Sequence, residues 1–246
     1  MDGARIMPHC PLLPTYDVGM STRLPGVEEI DRLHRRLAPS AAAYELVHTH
    51  CVIVAELSRQ ILQSYIRAHG DAAADDDSAI DVDEHLMVVG ALVHDIGTYR
   101  VFADAGADGG EGDAKQGSGL RFDSKRYILH GMIGYRLLLD EGYGRDIAAF
   151  ARNHTGVGIT RRQVVEQHLP LPPDDYVPRT PEQEIVMYAD KFNSKSQPPA
   201  FVSAETQEKR CARFGADNLE RWHALVRRYG VPDLPPMARR YAMRIK

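Results

Sequence analysis

The residues best placed to do chemistry in this chain are the adjacent pair His94-Asp95. They close the apolar stretch Leu86-Met87-Val88-Val89-Gly90-Ala91-Leu92-Val93 and precede Ile96-Gly97. Imidazole and carboxylate side by side in an apolar helix are costly to bury unless one partner satisfies both, and a divalent cation does so. Four further donors, His50, His130, His154 and Asp190, fall where helical patterning turns an inward face or a helix end toward a common centre. Neutral imidazole and carboxylate suit iron, manganese, cobalt, nickel or zinc, and the lack of a thiolate disfavours a structural zinc site. Six ligands imply two cations. One would take His50, His94, Asp95 and Asp190, and the second His130 and His154, with Asp95 as the bridge. Such pairs lie roughly 3.5 to 4 Å apart and hold a bridging hydroxide suited to attack on phosphorus.

The elements that must position these residues are helical. Val27 to Leu37 reads as a short helix ended by Pro39. Ala41 to about His69 reads as a long one, with Val47, Cys51, Val54, Ser58, Ile61 and Leu62 on the stripe that includes His50. The acidic stretch Asp71 to Asp83 is a loop that places Asp83 at the start of the His94 helix, where negative charge is favoured. Ala103 to Gly119 shifts to Gly, Asp and Ala and is expected to be a mobile loop beside His94-Asp95, open to a role as cover or as passive insertion. Helical patterns resume over Ser124 to Glu141, Arg145 to Asn153, Glu182 to Phe192 and Glu205 to Tyr229. Pro170 to Pro181 is an extended connection. No strand is expected, and residues 1 to about 26 read as an irregular arm.

Composition bounds the rest. A chain of 246 residues with 43% hydrophobic content can bury one full core. The resulting division is an arm and short helix over 1–39, a domain over 40–200 and a helical extension over 201–246. A net charge of -4 argues against a nucleic-acid partner. Cys10, Cys51 and Cys211 are far apart, so neither a zinc ribbon nor a disulfide framework is expected and a reduced cytoplasmic setting fits. No apolar run reaches the roughly 18 residues of a membrane span.

Taken as an ordered set, His50, His94-Asp95 and Asp190 match the H, HD and D pattern of the HD-domain superfamily of metal-dependent phosphohydrolases, which the chain resembles. His130 and His154 resemble its two-metal branch. His94-Asp95-Ile96-Gly97, His130-Gly131-Met132-Ile133-Gly134, His154-Thr155-Gly156-Val157-Gly158-Ile159-Thr160 and Tyr188-Ala189-Asp190-Lys191 are similar to small stand-alone HDIG-type proteins of bacteria and archaea. The resemblance spans about residues 40 to 200. It implies an all-α fold, two divalent transition metals with iron or manganese foremost, and cleavage of a phosphoester or phosphoanhydride bond of a nucleotide or other small phosphorylated metabolite. Asp95 would bridge the metals. Where many relatives carry Lys or Arg after the HDIG motif this chain has Thr98, so the expected phosphate contacts pass to Lys191, with Arg100 and Thr98 as neighbours. Arg161 and Arg162 are weighed as lining the mouth or as exposed charges. His48 is not expected to reach the metal, because positions i and i+2 do not share a helix face. A di-iron oxygenase and a non-catalytic metal-stabilised sensory module share the same ligand list and stand as alternatives. Monomer and homodimer are both open.

Overall fold

The computed structural model describes residues 23–69, 80–103 and 120–246. The arm over 1–22, most of the acidic stretch and nearly all of the Gly-rich loop therefore lie outside the described residues. The described chain is all-α apart from one two-residue strand pair. Helix α1 is Val27–Leu37 and α2 is Ala41–His69, both with the bounds read from the sequence. Helix α2 is the spine of the molecule. Its inward stripe, Val47, Cys51, Val54, Ser58, Ile61 and Leu62, is buried together with His50. It packs against α3 (Glu84–Val93), α7 (Pro181–Asp190) and α9 (Ala216–Tyr229). Helix α3 starts where Asp83 accepts a hydrogen bond from the Leu86 amide at 3.0 Å, an N-cap that satisfies one of the free donors at that end. Everything from Met87 to Val93 is buried, so His94 is delivered to the interior at the C-cap.

Helices α4 (His130–Asp140) and α5 (Arg145–Asn153) pack as a hairpin beside α3. The close approaches there depend on glycine. A Cβ on Gly97 would collide with the His130 carbonyl and the Gly134 amide, so the Ile96–Arg100 3-10 turn can lie directly on α4. This contact sets the distance between Asp95 and His130.

Several elements differ from the sequence expectation. The helix expected from Ser124 begins only at His130, after a 3-10 turn at Tyr127–Leu129. Asp123 Oδ1 accepts from the Lys125 and Arg126 amides and holds the preceding residues in a turn. A short helix, α6 (Arg161–Glu166), lies where the sequence reading placed no element, and is started by a capping box between Thr160 and Gln163. The single helix expected over Glu205–Tyr229 is two, α8 (Ala204–Ala212) and α9, because Gly215 has φ 104°, which no helix continues through. A last helix, α10 (Leu234–Arg240), carries Pro235 and Pro236 in its first turn, where missing amides cost nothing. Strands β1 (Asn193–Ser194) and β2 (Ala200–Phe201) pair antiparallel where none was expected. Residues beyond 201 pack on the same core as the rest. The Trp222 ring lies 5.4 Å from that of Tyr188 and 5.7 Å from that of Phe192, and Tyr188 donates to the Gly230 carbonyl.

Candidate metal centre

All six expected ligands converge. One donor atom from each of His50, His94, Asp95 and Asp190 lies within 4.8 Å of the others, and the same holds for Asp95, His130 and His154. Asp95 belongs to both groups. His50 comes from the middle of α2, His94 from the end of α3, and Asp95 from the residue that turns the chain into the 3-10 segment. His130 opens α4, His154 caps α5, and Asp190 ends α7. His94, His154 and Asp190 thus sit at helix C-terminal ends, where backbone carbonyls are free to accept, and His130 directly follows the Tyr127–Leu129 3-10 turn.

Those carbonyls fix the imidazoles. His94 Nδ1 faces the Ala91 carbonyl at 2.7 Å, His130 Nδ1 that of Tyr127 and His154 Nδ1 that of Ala151 at 2.8 Å. His50 Nδ1 faces Asn193 Oδ1 at 2.8 Å. A carbonyl or carboxamide oxygen only accepts, so each Nδ1 carries a proton and each ring turns its Nε2 inward. The consequence is plain at His130 and His154, whose Nε2 atoms lie 2.9 Å apart. Burial pushes the pKa of both down, that of His130 to about 3, so a proton does not relieve this contact near neutral pH. His94 Nε2 is buried without a hydrogen-bond partner, with Asp190 Oδ1 at 3.5 Å and Asp95 Oδ2 at 3.8 Å. Facing lone pairs and an orphaned ring nitrogen beside two carboxylates call for cations, so the residues present fit a divalent metal site.

The carboxylates are held ionised. Burial opposes this for both, but Lys195, His154 and His50 keep Asp95 well below the usual carboxylate range, and Lys191, His50 and His94 do the same for Asp190. Burial likewise opposes charge on His94, yet Cys51, Asp190 and Asp95 raise its pKa to about 9. Asp95 Oδ1 also accepts from Thr98 Oγ1 at 2.9 Å, with both side chains fully buried.

Around the cluster the expected phosphate contacts distribute unevenly. Lys191 is buried, donates to Asp190 Oδ2 at 2.7 Å and to the His154 carbonyl at 3.2 Å, and lines the open chamber next to the ligands. Thr98 is not available to a substrate, because its hydroxyl is spent on Asp95 inside the core. Arg100 is exposed and is not among the residues lining either cavity at the cluster. Arg161 and Arg162 are exposed, the latter paired with Asp217. His48 turns the other way, stacked on Tyr44 and 3.5 Å from Asp31.

Two participants escaped the sequence reading. Lys195 pairs with Asp95 Oδ2 from the β1–β2 turn, and Asn193 orients His50. The only signal for either was nearness to Asp190 in sequence, which many polar residues share.

The geometry is that of an all-helical protein with a cluster of six imidazole and carboxylate donors at its centre. A family model described as the HD domain matches residues 47–194, more than half of the chain. The chain therefore belongs to the HD-domain family, and with it to a superfamily of metal-dependent phosphohydrolases. It is 31% identical over 148 residues to an uncharacterized protein of Methanocaldococcus jannaschii, covering 60% of this chain and 66% of that one. It is 33% identical over 112 residues to a tRNA (cytidine(56)-2'-O)-methyltransferase of Thermoplasma volcanium, covering 46% of this chain and only 25% of that one. The chain thus spans less than two thirds of the length of these relatives. Among solved structures, the L. monocytogenes phosphodiesterase PgpH HD domain in complex with cyclic-di-AMP aligns with a TM-score of 0.43 and 13% identity, over 88% of this chain and 99% of that one. No described helix is long and apolar enough to cross a membrane.

Proposed function

We propose that this protein is a metal-dependent hydrolase of a phosphoester or phosphoanhydride bond in a nucleotide or other small phosphorylated metabolite. Two divalent transition metals, iron or manganese foremost, would be held by His50, His94, Asp95 and Asp190 and by His130, His154 and the shared Asp95. When bound, such cations acidify water and neutralise charge on phosphoryl oxygens, which is the chemistry that phosphoryl cleavage needs. The observation that carries the proposal is the charge balance at the cluster. Its two carboxylates are already matched by two ammonium groups, Lys195 on Asp95 and Lys191 on Asp190. Any cations added therefore leave an excess of positive charge, and an anionic ligand completes the site.

The chain's own residues divide the remaining work. Nδ1 contacts to carbonyl oxygens lock the four imidazoles in the tautomer that presents Nε2. Thr98 holds Asp95. Lys191, whose ammonium lines the chamber, orients the phosphoryl group, and no separate general base is required. The chamber beside the ligands is about 480 Å³, within the range of roughly 300 to 1,000 Å³ typical of small-molecule sites. We assign residues 40–200 to the catalytic domain and 201–246 to an extension that walls its chamber. Cys51 and Cys211 are free and buried, which suits a reduced, cytoplasmic setting.

The test is phosphate release under strict anaerobiosis with manganese or magnesium in place of iron, in water labelled with heavy oxygen. Hydrolysis places one solvent oxygen in a product. Turnover that required dioxygen and iron, without solvent label, would overturn the proposal.

A further inference from the structure

The chamber at the candidate metal centre has a neighbour behind part of its wall. It shares Thr155, Gly156, Gln207, Arg210 and Phe214 with a second cavity of about 230 Å³. The character of the wall changes between them. The chamber is lined by His130, His154, Asp190, Lys191 and Lys195, whereas the second cavity joins the apolar Ile128, Val157, Ile159, Leu169 and Cys211 to the uncharged amides Gln163, Gln167 and Asn218. A charged chamber beside a more apolar side pocket fits a ligand with an anionic end and a flat apolar end.

Three features of the junction narrow the ligand. Phe214 is 66% exposed on the rim common to both cavities, an unusual position for a phenylalanine in water and a suitable one for stacking on a ring. Gln207 is 8% exposed and lines both cavities, yet its carboxamide makes only a weak 3.8 Å contact to Cys211 Sγ. A carboxamide whose one hydrogen bond is a long one to sulfur keeps capacity for a ligand edge with matching acceptor and donor. Arg210 and Arg213 line the chamber between the ligands and Phe214, and neither has an ion-pair partner among the described residues. Thr155 and Gly156, which border both cavities, directly follow His154 in the chain, so the side pocket lies next to the proposed ligands.

We propose that the side pocket formed by the His154–Thr160 loop and the α8–α9 elbow is a nucleobase site, with Phe214 stacking on the base and Gln207 bonding its polar edge. The proposal rests on the phosphohydrolase reading and makes the substrate a nucleoside phosphate whose phosphate lies at the metal centre. Most of the discriminating residues, Gln207, Arg210 and Phe214, come from beyond residue 194, outside the span that defines the family. Selection of the base is thus a property of this chain's C-terminal segment.

The experiment compares nucleoside 5'-monophosphates with ribose 5-phosphate, which carries the same phosphate and no base, on metal-loaded full-length protein. The wild type is expected to favour the nucleotide in kcat/KM. Phe214→Ala and Gln207→Leu are each expected to lower the ratio of nucleotide to ribose 5-phosphate kcat/KM by about ten-fold, the order found when a base-stacking aromatic is removed. Phe214→Trp should restore it, and metal content should not change. Equal handling of the two substrates by the wild type, or ratios unmoved in both variants, would overturn the base site. If neither compound is hydrolysed, calorimetric binding of the same two compounds judges the pocket separately from the phosphohydrolase reading. Tighter binding of the nucleotide that Phe214→Ala abolishes supports the pocket, and indistinguishable binding overturns it.

Discussion

Replacing Thr98 by valine probes how the centre is held without touching a proposed ligand. Valine keeps the branched shape and nearly the volume of threonine, so the fully buried position stays filled while the hydroxyl that donates to Asp95 Oδ1 at 2.9 Å is lost. A hydrogen bond to a buried charged group is worth about 1.5 to 3 kcal/mol. At 1.4 kcal/mol per factor of ten that corresponds to roughly 10- to 150-fold in an equilibrium constant. The loss falls on whichever equilibrium depends on the orientation of Asp95, and Asp95 is the donor that both proposed sites share. Cation affinity should therefore drop by about 10- to 100-fold, as outer contacts to metal ligands commonly do when removed, with the weaker of two sites lost first in a chelator competition. The assay is metal titration of apo protein against a calibrated chelator, with circular dichroism as a check on folding. Unchanged affinity, together with a raised KM for phosphorylated substrate, would refute this account and return Thr98 to substrate contact.

Lys191→Met removes the ammonium that lies between Asp190 and the chamber. Loss of a competing positive charge does not weaken cation binding by Asp190, so kcat/KM on phosphorylated substrate should fall by about 10- to 100-fold with metal content retained, and loss of metal would count against the assignment. Gly97→Ala places a methyl group against the His130 carbonyl and should cost about 1 to 3 kcal/mol in denaturant unfolding, with the His130 side of the centre weakened first. Burial lowers the pKa of His34 from 6.5 to about 4, so the unfolded chain binds the extra proton between these values. The stability arising from neutral His34 is complete above pH 6.5 and lost as pH falls toward 4, by about 3 kcal/mol. Urea unfolding of wild type and His34→Asn across that range checks it, since the variant should lack this part of the slope.

The centre's donor residues were legible because their signal is local and repeated. An imidazole at the end of an apolar helix, a glycine where two backbones touch and a carboxylate at another helix end each leave a mark on sequence. Helices α1, α2 and α5 were legible for a similar reason, since one apolar stripe between clear stop signals decides each. What was lost depends on turn chemistry and on distant partners. Asp123 delays α4 through hydrogen bonds to its own following amides, which compete silently with a helical pattern. Gly215 breaks a well-patterned helix through a single dihedral. Lys195 has no pattern at all, because its meaning comes from Asp95, 100 residues away.

The missed residues change what Thr98 in the position after the HDIG motif implies. Seen in sequence, an uncharged side chain there suggests a weakened grip on phosphate. The structure turns that position inward, where a lysine's ammonium would have to be buried beside Asp95 from within the core. Charge instead reaches the same carboxylate from the opposite side, through Lys195 on the β1–β2 turn, and reaches Asp190 through Lys191. The cationic partners of both carboxylates thus lie on the chamber side, where a phosphate can exchange for a carboxylate as their hydrogen-bond partner once cations neutralise the acids. Threonine after the motif therefore secures the Asp95 carboxylate, and its presence is compatible with phosphate chemistry.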